Sequence, residues 1–141
     1  MENAIVLQYH VSADDFTRAG EASSSVKKTL KKIGIHPEAI RKVAIAMYEG
    51  EINMVIHADG GRVEVDVGMD AITLRLIDHG PGIPDVNQAM EEGFTTAGDV
   101  ARDLGFGAGM GLPNMKKYSD EFDIQSTVGV GTTVKMLVNI D

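Results

Sequence analysis

Val63, Val65 and Val67 alternate with Arg62, Glu64 and Asp66, and after Gly68-Met69-Asp70 the residues Ile72, Leu74 and Leu76 alternate with Thr73 and Arg75. A period of two on both sides of a short turn makes a hairpin with one apolar face and one polar face. The apolar face has to be covered, and a slip of one residue would turn it to water, so this stretch limits the fold more than any other. The end of the chain repeats the device as "DEFDIQST", a "VGVG" turn and "TTVKMLVNI". Near the start, Ile5, Leu7, Tyr9 and Val11 alternate with Val6, Gln8 and His10, which predicts a further strand.

Cover for the apolar face comes from two helical patterns. Ser12 is placed as an N-cap, and Phe16, Ala19, Ser23, Val26, Leu30 and Ile33 recur at spacings of three and four, stopped by Gly34. Pro37 then opens a second helix, "PEAIRKVAIAMYEGEINMVIHA". The expected fold class is α+β: a two-layer α/β sandwich with helices on one face of a mixed, largely antiparallel sheet, as one domain over residues 1–141.

The chain has no cysteine, so disulfide and thiolate chemistry are excluded and a cytoplasmic location fits. A net charge of −8, with no segment that gathers Lys and Arg, argues against nucleic acid and against a basic membrane-binding helix. No apolar run approaches the ~20 residues that cross a bilayer. The N-terminus lacks the basic start and apolar stretch of a secretory signal.

Between the hairpins, residues 79–111 form a long glycine-rich connection with a short helix expected near 85–92. Such a length inside a compact domain points to function. Gly105, Gly107, Gly109 and Gly111 fall at every second position in "DLGFGAGMGLPNMKK". Counting excludes two familiar phosphate loops. A dinucleotide fingerprint needs a third glycine at the sixth position, which is Met110 or Leu112 here, and a Walker loop needs Gly-Lys, which the chain lacks. What remains is either a surface loop or a bare main-chain cover leading into a helix at Leu112-Pro113. The N–H groups at that helix start suit anionic oxygens, and Lys116 and Lys117 lie a turn further in.

Two other places break the local pattern. The second helix is apolar around most of its circumference, yet Glu49 and Asn53 stand within it at i and i+4. Beside a core, a carboxylate and an amide need a ligand, a metal or each other, unless they coat an exposed stripe. Glu51 lies about 200° around the helix from Asn53, so it cannot share that site, and it is expected in solvent. Asp78 follows Ile72, Leu74 and Leu76 in the inward row of its strand, and "DHGPGIPD" then turns with Gly80 and Gly82. It is either an ordinary Asp-Gly turn residue or an acceptor for an exocyclic amine. In the second case, facing a carbonyl would leave the carboxylate unpaired at ~1–3 kcal/mol, so the site would prefer adenine to guanine.

In order, "YEGEINMVIHA", "DHGPGIP", "GFGAGMGL" and "GVGTTV" resemble the four boxes of the GHKL ATPase superfamily. Histidine-kinase catalytic domains, type II topoisomerases, heat-shock-90 chaperones and mismatch-repair ATPases share that fold. Within it the chain is most similar to small bacterial serine/threonine kinases of the anti-sigma and stress-switch type. The resemblance implies that Glu49 accepts the proton of the attacking hydroxyl and that Asn53 binds Mg²⁺. It implies that Asp78 reads adenine, supported by Gly80, Gly82 and Thr132. Gly105 to Gly111, with Met110 and Leu112, would form the phosphate lid, with Thr95, Thr96 and Arg102 at its near edge and Lys116 behind it. The chain departs from the pattern at Ile52, where relatives often carry a polar or basic residue, and at Gly50-Glu51.

The resemblance therefore implies an ATP- and Mg²⁺-dependent kinase acting on a STAS-type antagonist protein in a partner-switching circuit. A sigma factor or a phosphatase module is a further candidate partner, and a homodimer is compatible. The alternative is a nucleotide-gated binding switch with little or no phosphoryl transfer. His10, His36, His57 and His79 are scattered, which speaks against a histidine phosphoacceptor.

Overall fold

The computed structural model describes residues 5–11, 20–57, 60–83, 86, 90 and 111–140. Strands β1 (Ile5–Val11), β2 (Gly61–Val67), β3 (Ala71–Asp78), β4 (Glu121–Thr127) and β5 (Gly131–Asn139) form one sheet in the order β1-β2-β3-β5-β4. All four pairings are antiparallel. The "mixed, largely antiparallel" expectation thus sharpens to an antiparallel sheet among the described residues. Register follows the alternation: Val63 faces Leu76, Val65 faces Leu74 and Val67 faces Ile72, so one apolar row continues across strands. Leu74 and Leu76 in turn face Met136 and Val134 of β5.

Helices α1 (Glu21–Lys32) and α2 (Pro37–His57) supply the second layer. Val26, Leu30, Val43 and Met47 interlock with Val63, Val65, Ile72, Leu74 and Met136 in one buried cluster. Each such side chain removed from water contributes about 1.5–3 kcal/mol. A short helix, α3 (Gly111–Lys117), packs on α2 through Leu112 and Met115, both in the same cluster. No helix among the described residues is long and apolar enough to cross a membrane.

Local signals account for most boundaries. Gly34 lies at φ +86°, and Ile35 N–H returns to Leu30 O at 3.1 Å, which ends α1 where the sequence places a glycine stop. Pro37 opens α2, and the preceding His36 accepts the Ala39 N–H on Nδ1 at 3.3 Å, capping that helix. The start of α1 differs from expectation. Gly20 stands at its N-cap at φ +96° and offers no capping side chain, so Ser12 is not the residue that caps α1. Ser12, Phe16 and Ala19 lie outside the described residues. Ser23, Val26 and Leu30 are buried as the pattern predicts, whereas Ile33 is exposed because the helix has already ended at Lys32. Of the short helix expected near 85–92, the described residues keep one helical hydrogen bond, from Met90 N–H to Val86 O at 3.0 Å.

Candidate functional site

Asp78 closes the inward row of β3, opposite Thr132 of β5. Its Oδ1 accepts the N–H of Gly80 at 2.9 Å and the N–H of Thr132 at 3.2 Å. Two main-chain donors on one oxygen fix the carboxylate plane and leave Oδ2 out of both bonds. Thr132 is itself buried, its Oγ1 2.8 Å from Ser126 Oγ. Ser126 Oγ in turn accepts the Ile83 N–H at 2.7 Å, which ties the chain beyond Asp78 to the second hairpin. Gly82 sits at φ +80° with the Thr127 carbonyl where a Cβ would stand, so this close crossing requires glycine. Ser126 was missed in the sequence because its partners, Ile83 and Thr132, lie outside its own strand and no glycine or charge marks it there.

The other half of the site is on α2. Gly50 lies on Leu76, and Met54 reaches the end of β3 beside Asp78, both meeting there at Gly61. The Glu49–Asn53 turn therefore runs along the same stretch of sheet that ends at Asp78. Both side chains are half-buried. Burial pushes the Glu49 carboxyl above the usual carboxylate range, and a hydrogen bond from the Asn114 side chain on α3 works against that rise. Asn114 was likewise missed by sequence reasoning. An amide placed between buried Leu112 and Met115 is its one signal.

Glu51 corrects the sequence reading outright. It is 3% exposed, not solvated. Its carboxylate accepts the N–H groups of Gly20 at 2.8 Å, Ala22 at 3.2 Å and Ser23 at 3.1 Å. These are the unpaired donors of the α1 N-terminus, whose own N-cap residue has no side chain to satisfy them. Glu51 does face away from Asn53, as the 3.6-residue repeat requires, but the face it lies on meets α1. Gly50 is explained as well: a Cβ there would overlap Leu76 Cδ2 and come within 3.3 Å of Met115 Sδ.

Of the remaining candidates, Gly80 is buried with its N–H already bound, and Leu112 uses its side chain in the core, leaving main chain for a ligand. Lys116 is exposed in the last turn of α3, which Gly111 begins. Thr95, Thr96, Arg102, Gly105, Gly107, Gly109 and Met110 lie outside the described residues. The structure thus brings Asp78, Gly80 and Thr132 together at one strand end, and Glu49 together with α3 on the adjoining helix.

Comparison with known proteins identifies the family. Residues 12–138 match the histidine kinase-like ATPase domain family. The serine/threonine-protein kinase RsbT of Bacillus subtilis is 30% identical over 115 residues, covering 79% of this chain and 80% of its own length. An anti-sigma F factor of Caldanaerobacter subterraneus is 36% identical over 104 residues, covering 70% of this chain and 69% of its own length. Among solved structures, the RsbU and RsbW domains of a Mycobacterium tuberculosis protein superpose with a TM-score of 0.57 at 18% identity, over 94% of this chain and 32% of that one. The mycobacterial sensor histidine kinase MprB gives 0.54 at 16% identity, over 96% and 97% of the two chains, a likeness of fold. The chain belongs to the histidine kinase-like ATPase family, alongside the serine/threonine kinase RsbT and the anti-sigma F factors.

Proposed function

We propose that this protein is a cytoplasmic, ATP- and Mg²⁺-dependent serine/threonine kinase of the anti-sigma type that phosphorylates a STAS-class antagonist, with a sigma factor or phosphatase module as a second binding party. The observation that carries the reading is Glu49, a desolvated carboxylate one helical turn before Asn53, on a helix lying along the strand that ends at Asp78. A general base works best with a pKa moved toward the operating pH, and burial moves Glu49 that way.

The residues each take one task. Asp78 Oδ2 accepts the exocyclic amine of adenine, its orientation set by Gly80 and Thr132 on Oδ1. Gly105 to Gly111, with Lys116, are assigned to the phosphates. Glu49 accepts the proton of the acceptor hydroxyl as its oxygen attacks the γ-phosphorus and ADP departs. Asn53 would supply one neutral oxygen to Mg²⁺. That fits an ion which keeps waters and shares phosphate oxygens. When bound, the ion neutralises phosphate charge against a protein of net charge −8.

The test is incubation with labelled ATP, Mg²⁺ and STAS-domain proteins encoded beside this chain, scoring phosphoserine and phosphothreonine. Glu49→Gln is expected to lower transfer by roughly 10²–10⁴-fold while ADP still binds. Full transfer by Glu49→Gln overturns the assignment. A second reading, a nucleotide-gated binding switch, draws on Ile52, which is buried and offers phosphates no polar group. It is favoured if partner regulation survives Glu49→Gln unchanged.

A further inference from the structure

Asn114 lies within α3, the helix that follows the glycine-rich segment, and its half-buried side chain meets Glu49 across the α2–α3 contact. The neighbouring residues hold that meeting in register. Met115 is fully buried, and its Sδ lies 3.3 Å from the point where a Cβ on Gly50 would stand. Consecutive residues of α3 thus meet consecutive residues of α2, Asn114 at Glu49 and Met115 at Gly50, and the bare Gly50 permits the approach. The far end of α3 is tied down by Tyr118 N–H to Asn114 O at 3.0 Å and Ser119 Oγ to Met115 O at 2.8 Å.

We propose that Asn114 is a positioning residue for phosphoryl transfer: its amide donates to one oxygen of Glu49 and so turns the other toward the acceptor hydroxyl. The inference rests on Glu49 acting as the base. Asn114 itself exchanges no proton. The hydroxyl proton passes to Glu49, the hydroxyl oxygen bonds to the γ-phosphorus, and the bond from that phosphorus to the bridging oxygen of ADP breaks.

The other charged or titratable groups around this contact are engaged elsewhere, except Tyr48, which lies on α2 itself and whose phenol feels the Glu49 charge. Glu51 is bound to the α1 N-terminus, and the Lys117 ammonium lies 5.5 Å from the Tyr118 ring centroid. Lys116 points from the exposed last turn of α3, and Arg75 of β3 pairs with Asp66. A neutral amide that donates is therefore the partner that meets Glu49 from α3.

The experiment compares Asn114→Ala and the equal-sized Asn114→Asp with wild type and Glu49→Gln in the full chain. It uses Mg²⁺-ATP and the STAS-domain protein that wild type phosphorylates. Both Asn114 variants are expected to lower kcat by roughly 10- to 100-fold with KM for ATP unchanged, Asp at least as severely as Ala because it replaces a donor by an acceptor. A thermal-unfolding cycle through Glu49→Ala, Asn114→Ala and the double variant needs no acceptor protein and is expected to be non-additive. Wild-type kcat in both Asn114 variants, a change confined to KM, or additive unfolding effects overturns the proposal while leaving Glu49 as base. Full activity of Glu49→Gln instead removes the reading beneath it.

Discussion

Glu49 and Glu51 stand two residues apart on one helix, and the fold uses them in opposite ways. Glu51 is the more deeply buried, yet three main-chain N–H groups surround its carboxylate. Glu49 is only half-buried, meets one side-chain amide, and is held above the usual carboxylate range by loss of water. Depth of burial therefore does not separate the capping acid from the proposed base; the number of donors does. A carboxylate with three donors is finished chemistry, whereas one with a single donor keeps lone pairs for a proton. Tyr48 lies on the same turn, and its phenol is raised by burial first and then by the nearby charges of Glu49 and Glu51.

The contrast is sharpest under substitution. Glu51→Ala strips three charge-assisted hydrogen bonds from the α1 N-terminus and is expected to cost about 3–5 kcal/mol, lowering Tm by roughly 10 °C or more. If Glu51→Ala unfolds like wild type, Glu51 is not the cap described here. Gly50→Ala, between the two acids, gains about 1 kcal/mol of helix propensity but drives a methyl into Leu76, an overpacking of about 1–3 kcal/mol. A net loss up to about 2 kcal/mol is expected by urea unfolding, with a fall in transfer rate as α2 shifts against α3. A stabilised, fully active Gly50→Ala would show that Leu76 yields freely.

The smallest effect is in the pH dependence of Glu49. Because its pKa is raised in the folded chain, ionising it favours the unfolded state. Its contribution to stability is whole below the ordinary carboxylate pKa of ~4.3 and is lost as pH rises through the folded value. Glu49→Gln should therefore have a slightly higher Tm than wild type at neutral pH, with the difference closing toward acid. Transfer by wild type should fall in the same acid range as the base is protonated. A Tm difference that grows toward acid would reverse the assignment.

Much of this was legible beforehand, for a physical reason. Alternation in β2, β3 and β5 states which side chains share a face, and Asp78 declares itself by standing where that row calls for an apolar residue. Gly34 and Pro37 mark their boundaries through their own backbone limits. These are local properties, carried within a few residues of chain. Asn114 and Ser126 carry no such mark, because each matters through a partner on another element.

Glu51 shows where local reasoning ends. Its angle on the helix follows from the 3.6-residue repeat, but what lies across that face does not. The donors that hold it are 28–31 residues away in sequence. By itself the sequence determined strand register, helix faces and the placement of an acid at the end of a core row, because periodicity acts along the chain. Only tertiary structure decided which acid caps a helix, which keeps lone pairs open and which glycine lets two helices touch, since hydrogen bonds and close packing depend on directions between segments that periodicity does not encode.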